Sequence, residues 1–334
     1  MTIARLVLSD FTAFRSADLS FASGVNVFLG ANATGKTHVM KVLYSTLKAA
    51  EPQLTPSDLD VRLKEKLARV FRPDDLTIGR LAHRRPGQSR VSVRAVDSEL
   101  KEIAYAFSTK TSSLKVSKRT MTAPPSSIFL PSREALAMYE GFIAAYRGRE
   151  LSFDETYYDL AVSLSAQGAR GPKAPLFAKV LTELEAAIGG KVVLQGDRFY
   201  VRGIEAHLLS EGVRKLASIV RLLANNELRE KGVLFWDEPE ANLNPQLAVV
   251  VANVLAQLAS HGIQVFVSTH DYLVSESLGL LANQAGGPAT RFFSFSRNDD
   301  AGVSVETADQ LDDLSSNLIR QEFLHHYDRV RAAE

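Results

Sequence analysis

Eight residues near the start of the chain constrain its fold more than any other stretch. They are Gly30-Ala31-Asn32-Ala33-Thr34-Gly35-Lys36-Thr37, and they match the pattern G-x-x-x-x-G-K-[ST]. The apolar run 25–29 before them predicts a buried strand, and apolar residues at helical spacing predict a helix over residues 38–49. A strand, this loop and a helix, in that order, predict a phosphate-binding loop.

The loop pattern has a direct physical reason. Its backbone N–H groups must point at phosphates, so Gly30 and Gly35 supply positions without side chains. The following helix would place its positive end at the same phosphates. We expect Lys36 to reach the outer phosphates and Thr37 to bind Mg²⁺ through its hydroxyl. The alternative is a glycine-rich turn that only connects a strand to a helix. The residues expected to contact the nucleotide here are Gly30, Ala31, Asn32, Ala33, Thr34, Gly35, Lys36, Thr37 and His38.

Composition narrows the class of protein. The chain has 334 residues, of which 46% are hydrophobic and 23% charged, as in an ordinary globular protein. A net charge of +1 gives no global basic field, so any contact with DNA would need a local patch. The absence of cysteine excludes disulfides and cysteine nucleophiles. With no signal segment and no apolar run of about 20 residues, we expect a cytoplasmic protein that does not bind membranes.

A second apolar run, residues 233–236, is followed by two carboxylates. It predicts a strand buried on both faces, with Asp237 and Glu238 at its carboxyl end. Ligands bind at the carboxyl ends of parallel strands. We therefore expect Asp237 to bind Mg²⁺ as a metal ligand, and Glu238 to activate a water that attacks the γ-phosphate. The alternative is a polar turn after a strand.

Two further stretches carry candidate residues. The apolar run 264–267 predicts a core strand, and His270 follows it at the edge where the carboxylates lie, which favours a contact with the γ-phosphate over a structural role. Ser210 precedes a long predicted helix and suits its N-cap, and Glu211 and Gly212 open that helix. The alternative for Ser210 is a cap with no other role.

The region between these motifs predicts two smaller units. Residues 78–130 alternate as antiparallel strands do, and helices are predicted up to residue 146 and over 153–164 and 176–188. A turn is expected over residues 10–16. The densest basic stretch indicates either a solvated sheet edge or a nucleic-acid patch, and both interpretations stay open. Its residues are His83, Arg84, Arg85, Arg90, Lys110, Lys115, Lys118 and Arg119.

Taken in order, these motifs resemble an ABC-type ATPase head. The motifs and their counterparts are the loop 30–37 (Walker A), Leu209-Ser210-Glu211-Gly212 (signature), residues 233–238 (Walker B with a catalytic glutamate), Asn242-Leu243-Asn244-Pro245 (D-loop) and His270 (switch histidine). The signature departs from the transporter form. Glu211, Arg214 and Lys215 instead resemble the RecF/SMC/OLD-like branch, as does the opening Leu8-Ser9-Asp10-Phe11.

The resemblance implies an α/β P-loop NTPase of ABC-ATPase type, with a mostly parallel core sheet, an antiparallel β subdomain and a helical lobe. It implies three parts: residues 1–130 with Walker A, a helical insertion over 131–205, and residues 206–334 with the remaining motifs. It implies ATP and Mg²⁺ as cofactors and a homodimer that closes around ATP. Ser210, Glu211 and Gly212 would then contact the nucleotide of the other subunit, while Lys36, Glu238 and His270 serve catalysis.

The implied function is an ATP-hydrolysing switch. It would act on double-stranded DNA or on a separate effector protein, as compact AAA-family ATPases of bacterial anti-phage defence, toxin–antitoxin systems or DNA repair do. No coiled-coil arm or nuclease module is evident, so a stand-alone ATPase is expected. The alternatives are an ATPase subunit of a transporter and a nucleotide-gated scaffold with little turnover. The family's lobe-linking glutamine is open between Gln167 and the turn 131–134.

Overall fold

The computed structural model describes residues 2–51, 55–83, 90–110, 113–148, 151–167, 175–298 and 302–333. Arg84, Arg85 and most of the predicted loop 167–175 lie outside these ranges. The strands are β1 (Ile3–Phe11), β2 (Phe14–Ser20), β3 (Val25–Gly30), β4 (Arg90–Asp97), β5 (Glu102–Ser108), β6 (Leu114–Arg119), β7 (Ser127–Leu130), β8 (Val192–Gln195), β9 (Arg198–Val201), β10 (Ile204–Glu205), β11 (Val233–Asp237), β12 (Gln264–Ser268), β13 (Thr290–Asn298) and β14 (Gly302–Ala308). The helices are α1 (Lys36–Ala50), α2 (Pro56–Phe71), α3 (Phe142–Arg147), α4 (Glu155–Ser165), α5 (Pro175–Ile188), α6 (Glu211–Ala224), α7 (Pro245–Ser260), α8 (Tyr272–Ala282) and α9 (Leu318–Ala333).

A six-stranded sheet in the order β14-β13-β3-β12-β11-β7 forms the core. All neighbours in it are parallel except β14, which runs antiparallel to β13. Every residue of β3 and β12 is buried, as expected for strands covered on both faces. Because β12 lies between β3 and β11, the carboxyl ends of these three strands meet at one edge. That edge positions the candidate site.

Two hydrophobic clusters pack on opposite faces of this sheet because side chains alternate along each strand. Val27 and Trp236 face a cluster built with α4, α5, α6 and α7. Phe28 and Phe235 face the other cluster, which contains α1, α2 and much of a five-stranded antiparallel sheet in the order β2-β1-β4-β5-β6. A small third sheet, β10-β9-β8, borders the helices. This architecture confirms the predicted α/β P-loop fold with an antiparallel sheet and a group of helices.

Three local predictions were wrong. The expected turn over 10–16 is confined to Thr12 and Ala13, because the aromatic rings of Phe11 and Phe14 are fully buried and extend the strands on both sides. Strand β7 is not antiparallel but pairs in parallel with β11 in the core sheet. Helix α3 begins only at Phe142, since residues 131–141 follow an irregular path. Over the described ranges, no helix is both long and apolar enough to cross a membrane.

Candidate nucleotide-binding site

The loop between β3 and α1 requires glycine at two positions. Gly30 has a φ of 136°, and a Cβ there would lie 2.3 Å from the carbonyl oxygen of Phe295. Gly35 has a φ of 89°, and a Cβ there would lie 2.8 Å from the ring of Phe14. Ala33 also adopts a left-handed φ, 62°, which costs about 1–2 kcal/mol for a residue with a side chain. The loop therefore has the tight curvature of a backbone cradle.

Lys36 lies inside this curve. Its Nζ donates hydrogen bonds to the carbonyl oxygens of Gly30, at 2.7 Å, and Ala31, at 2.9 Å. Burial lowers the pKa of the Lys36 ammonium, while the charges of Glu238, Asp237 and Glu240 oppose that shift. The ammonium therefore lies inside the curve of the loop, where it could bind an anion.

Thr37 and Asp237 meet although 200 positions separate them in the chain. The Thr37 hydroxyl donates to Asp237 Oδ1 at 2.9 Å and Oδ2 at 3.1 Å. Ser268 at the end of β12 donates a second hydrogen bond to Oδ1. Burial raises the pKa of Asp237, and the hydrogen bonds from Ser268 and Thr37 lower it. A hydroxyl beside one carboxylate is a donor set that suits Mg²⁺, which is bound through few protein oxygens together with substrate phosphates.

The rest of the described chain offers no competing metal site. No group of three or more His, Cys, Asp or Glu side chains within the described ranges has metal-binding geometry. An ion at Thr37 and Asp237 would therefore depend on phosphate oxygens and water for its remaining ligands.

Glu238 and His270 face each other at the mouth of this edge. The Nδ1 of His270 lies 3.5 Å from Oε1 of Glu238, and the two side chains are 46% and 32% exposed. Glu238 has a φ of 46°, and its N–H donates to the Ser268 carbonyl at 3.0 Å. A strained backbone held by a core strand is common at functional sites. Both side chains can reach a water or phosphate oxygen at the edge.

Two buried charged residues that the sequence did not single out as site residues support this pair. Oε1 of Glu240 accepts hydrogen bonds from Thr269 Oγ1 at 2.8 Å and from the His270 N–H at 3.0 Å, so it sets the backbone direction of His270. Burial raises the pKa of Glu240. Lys215 of α6 donates to the Ala241 carbonyl at 2.6 Å, and burial lowers its pKa. Glu240 stands in a polar loop, where a carboxylate usually indicates a solvated surface.

The signature residues form a separate cluster with the D-loop. Ser210 is the exposed N-cap residue of α6, but its side chain makes no capping hydrogen bond. Asn242 donates to Oε2 of Glu211 at 2.9 Å. A Cβ on Gly212 would lie 2.8 Å from the side chain of Leu243, so glycine lets the D-loop dock on the helix. Among the described residues, no hydrogen bond or ion pair joins Ser210, Glu211 or Gly212 to the loop 30–38.

A cavity of about 650 Å³ lies beside the first turn of α1, where His38 lines it. His38, Phe71, His83 and Arg297 contribute to its wall. The His38 ring stands edge-on to Phe71 with 5.5 Å between centroids. Burial lowers the pKa of His38 to about 4, so its imidazole is neutral at physiological pH. The cavity is large enough for a planar ring and a sugar beside the phosphate loop.

Geometry separates the two candidates for the lobe link. Leu130 pairs with Trp236, so the turn 131–134 begins beside Asp237. Oε1 of Glu134 accepts a hydrogen bond from Arg214 at 2.7 Å, which ties this turn to the signature helix. Gln167 instead follows the far end of α4, where Arg221 and Asn225 of the last turn of α6 bind main-chain carbonyls.

The basic stretch lies partly on an edge strand. Strand β6 is the last strand of the five-stranded sheet. Lys115 lies 2.9 Å from Asp60, and Lys118 lies 2.5 Å from Glu102, so acidic partners offset both charges. This arrangement favours a solvated edge over a nucleic-acid patch at β6.

Comparison with known proteins agrees with the resemblance that the ordered motifs predicted. A family model described as "AAA domain, putative AbiEii toxin, Type IV TA system" matches residues 145–276. The DNA replication and repair protein RecF of Streptococcus suis (strain 05ZYH33) is 32% identical over 97 residues, which cover 29% of this chain and 24% of that protein. The solved SMC head bound to the C-winged helix domain of ScpA is 14% identical, with a TM-score of 0.57 over 93% of this chain and 98% of that chain. The chain has the fold of an SMC head domain.

The SMC head domain from Thermotoga maritima is also similar to this chain, with a TM-score of 0.50 and 15% identity over 92% of this chain and 99% of that chain. The resemblance predicted from the ordered motifs is thereby confirmed. The chain spans only about a quarter of the length of the RecF that it matches. What RecF acts on is therefore a proposal for this chain.

Proposed function

We propose that this RecF/SMC-like head binds ATP with Mg²⁺ and hydrolyses it. The observation that carries the proposal is the meeting of four side chains at one sheet edge. Thr37 donates to Asp237 at 2.9 Å, and Glu238 faces His270 at 3.5 Å on the adjoining strand ends. Phosphoryl transfer to water requires a hydroxyl and a carboxylate that bind the metal ion, and a second carboxylate nearby that activates the water.

Each side chain has a role in this scheme. The loop N–H groups and the Lys36 ammonium bind the phosphates, and Thr37 and Asp237 hold Mg²⁺, which supplies charge neutralisation when bound. Glu238 accepts a proton from the attacking water, and His270 donates a hydrogen bond toward the γ-phosphate. Glu240 and Lys215 position this pair, since their hydrogen bonds end on the backbone of residues 238–241 and 270. The cavity beside His38 receives the base and ribose.

The separate signature cluster supports an ATP-dependent homodimer. Ser210 is exposed at the N-terminus of α6, a helix end that can bind an anion, and among the described residues it makes no hydrogen bond to the loop 30–38 of its own chain. A second subunit would bring this helix end to the nucleotide. The division into residues 1–130, 131–205 and 206–334 is part of this proposal, with the turn 131–134 as the link between the core and the signature helix.

A DNA-related role or a separate protein effector would follow from such a switch. The name of the RecF relatives supports DNA, and the description of the family model supports a toxin–antitoxin or defence setting. Pairing of Lys115 and Lys118 with carboxylates argues against β6 as the DNA surface. Phosphate release can be measured with and without linear double-stranded DNA over a range of salt. Stimulation that falls as salt rises would indicate DNA, because binding to DNA phosphates weakens with salt, and no stimulation would indicate a protein effector.

Glu238→Gln tests the hydrolytic role. Loss of the general base should lower turnover about 10²- to 10⁴-fold, while ATP binding stays and dimer accumulates with ATP. Phosphate release, equilibrium binding of a fluorescent ATP analogue and light scattering give the three readouts. Glu230→Gln is the matched control, since Glu230 is exposed near the opposite end of β11. Turnover at the wild-type rate in Glu238→Gln would refute the assignment, and a wild-type protein that binds ATP without phosphate release would be a scaffold.

A further inference from the structure

A second cavity lies away from the sheet edge. It encloses about 490 Å³ between the C-terminal end of α2 and helices α3 and α4. Three arginines line it, Arg69 and Arg72 from the α2 side and Arg147 from the end of α3. Its volume falls within the range of pockets that hold small ligands. All three residues are exposed, and a guanidinium group can bind an anion through paired hydrogen bonds.

A row of stacked rings positions Arg147. Phe142 stacks on Tyr146 with 6.0 Å between centroids, and Tyr146 stacks on Tyr158 with 4.9 Å. The guanidinium carbon of Arg147 ends the row, 5.7 Å from the Tyr158 centroid. Its Nε also donates to the Tyr158 hydroxyl at 2.9 Å. The cation is thus held against a rigid aromatic wall, while the residue as a whole stays exposed.

The other two arginines are held by a hydrogen bond and by ion pairs. Arg72 ends α2 with a left-handed φ of 49°, and its Nη1 donates to the Phe153 carbonyl at 3.0 Å. Arg69 lies near two carboxylates, with Nη1 3.5 Å from Oε1 of Glu155 and Nη2 3.8 Å from Oε2 of Glu65. A guanidinium has five N–H donors, and these contacts occupy few of them. Donors therefore remain that can form the paired hydrogen bonds that Arg makes with phosphate oxygens.

The charge of the cavity is positive. Glu155 is the one carboxylate among its described lining residues, and it also lies 3.1 Å from Nζ of Lys66 behind the wall. Burial raises the pKa of Glu155, while the charges of Lys66 and Arg69 lower it. Three guanidinium charges thus face a carboxylate already shared with a lysine.

We propose that this cavity is a second nucleotide site, which binds the phosphates of a nucleotide between Arg69, Arg72 and Arg147. The outer face of the Arg147 guanidinium gives a base a plane to stack on. The nucleotide is either a free molecule or the end of a nucleic-acid strand, since both present the same phosphate and base. This cavity is distinct from the one that we assign to the base and ribose of ATP, and Arg72 lines both cavities.

The test uses the full chain with Lys36→Ala, which weakens the first site. Two probes are titrated by fluorescence anisotropy, a methylanthraniloyl-labelled ADP and a fluorescein-labelled oligothymidylate of ten nucleotides. We expect a saturable component to remain for at least one probe. Adding Arg147→Ala or Arg69→Ala should weaken it at least about tenfold, which corresponds to about 1.4 kcal/mol. Arg229→Ala, an exposed arginine near the start of β11, is the matched control and should leave it unchanged.

Each outcome decides a different question. Binding of the labelled ADP assigns the site to a free nucleotide, and binding of the oligothymidylate alone assigns it to a strand end. The second site would be overturned if neither probe bound the Lys36→Ala chain, or if adding Arg147→Ala or Arg69→Ala left the affinity of that chain unchanged. Unchanged melting temperatures show that these variants fold. If Arg147→Ala does not fold, Arg69→Ala tests the same site from a different helix. Failure of the ATPase assignment would instead appear as unchanged phosphate release in Lys36→Ala alone.

Discussion

Replacing Asp237 by asparagine removes one charge from the carboxyl end of β11 and leaves the side-chain shape nearly unchanged. Without nucleotide, Thr37 and Ser268 both donate to the carboxylate. The asparagine oxygen can keep one of these hydrogen bonds, and its amide can donate to the other hydroxyl. Two charge-assisted bonds become neutral ones, at a cost of roughly 1 kcal/mol, while the burial that raises the pKa of Asp237 no longer opposes folding. We expect the free energy of unfolding to change by less than about 1 kcal/mol.

With Mg²⁺ and nucleotide the expected effect is much larger. A carboxylate about 4 Å from a cation near a protein surface is worth roughly 4 kcal/mol per pair of unit charges, part of which water replaces. We therefore expect Asp237→Asn to lose at least about 2 kcal/mol of Mg²⁺-dependent affinity, or about thirtyfold in Kd. Binding without Mg²⁺ should stay the same or tighten, because a negative charge beside the phosphates has been removed.

Two measurements distinguish these effects. Urea unfolding without nucleotide gives the stability change, and titration of a fluorescent ATP analogue with Mg²⁺ or with EDTA gives the metal-dependent part of the affinity. Asp271→Asn is the control, since Asp271 also follows a core strand but caps α8 through the Val274 N–H, a task that asparagine performs equally well. The reasoning is refuted if Asp237→Asn keeps the full Mg²⁺ effect, or if it unfolds more easily by over about 3 kcal/mol.

Three other changes test separate features. His38→Gln should make the free energy of unfolding less sensitive to acid. The pKa of His38 is about 4 in the folded chain and 6.5 in the unfolded chain, so the unfolded chain binds the proton first and the wild type loses up to about 2 kcal/mol of stability between pH 7 and 5. An equal loss in the variant would contradict this. Gly212→Ala should leave the melting temperature unchanged but push Leu243 aside and reduce ATP-dependent dimer in light scattering; undiminished dimer argues against the interface. Glu134→Gln should lower the free energy of unfolding in urea by about 3 kcal/mol, because its partner Arg214 is mostly buried. Glu140→Gln, in the exposed pair with Arg198, should lower it by under about 1 kcal/mol. Equal losses in the two variants would contradict this difference.

Much of the candidate site at the carboxyl ends of β3, β11 and β12 could be inferred from local patterns. The strands that end at Gly30, Asp237 and Ser268 are short apolar runs, and the rule that ligands bind at carboxyl ends brings Thr37, Asp237 and His270 near one another before any coordinates. The supporting residues could not be found in this way. Glu240 and Lys215 are polar residues in polar sequence, and only the fold buries them at 8% and 3% exposure. Burial of a charge depends on which elements pack over it, and local sequence carries no record of that.

The loop between β3 and α1, the long helices and the buried strands could be predicted from local patterns in the chain. Backbone dihedral limits, helical periodicity and the apolar character of doubly covered strands act within a few residues of one another. The packed chain was needed to show that β12 lies between β3 and β11, that β7 joins the core sheet, and that Arg69 and Arg147 face one cavity. Those outcomes depend on pairing and packing between segments that lie far apart in the chain. Their free energy comes from burial on both faces of the sheet, which no single segment can provide.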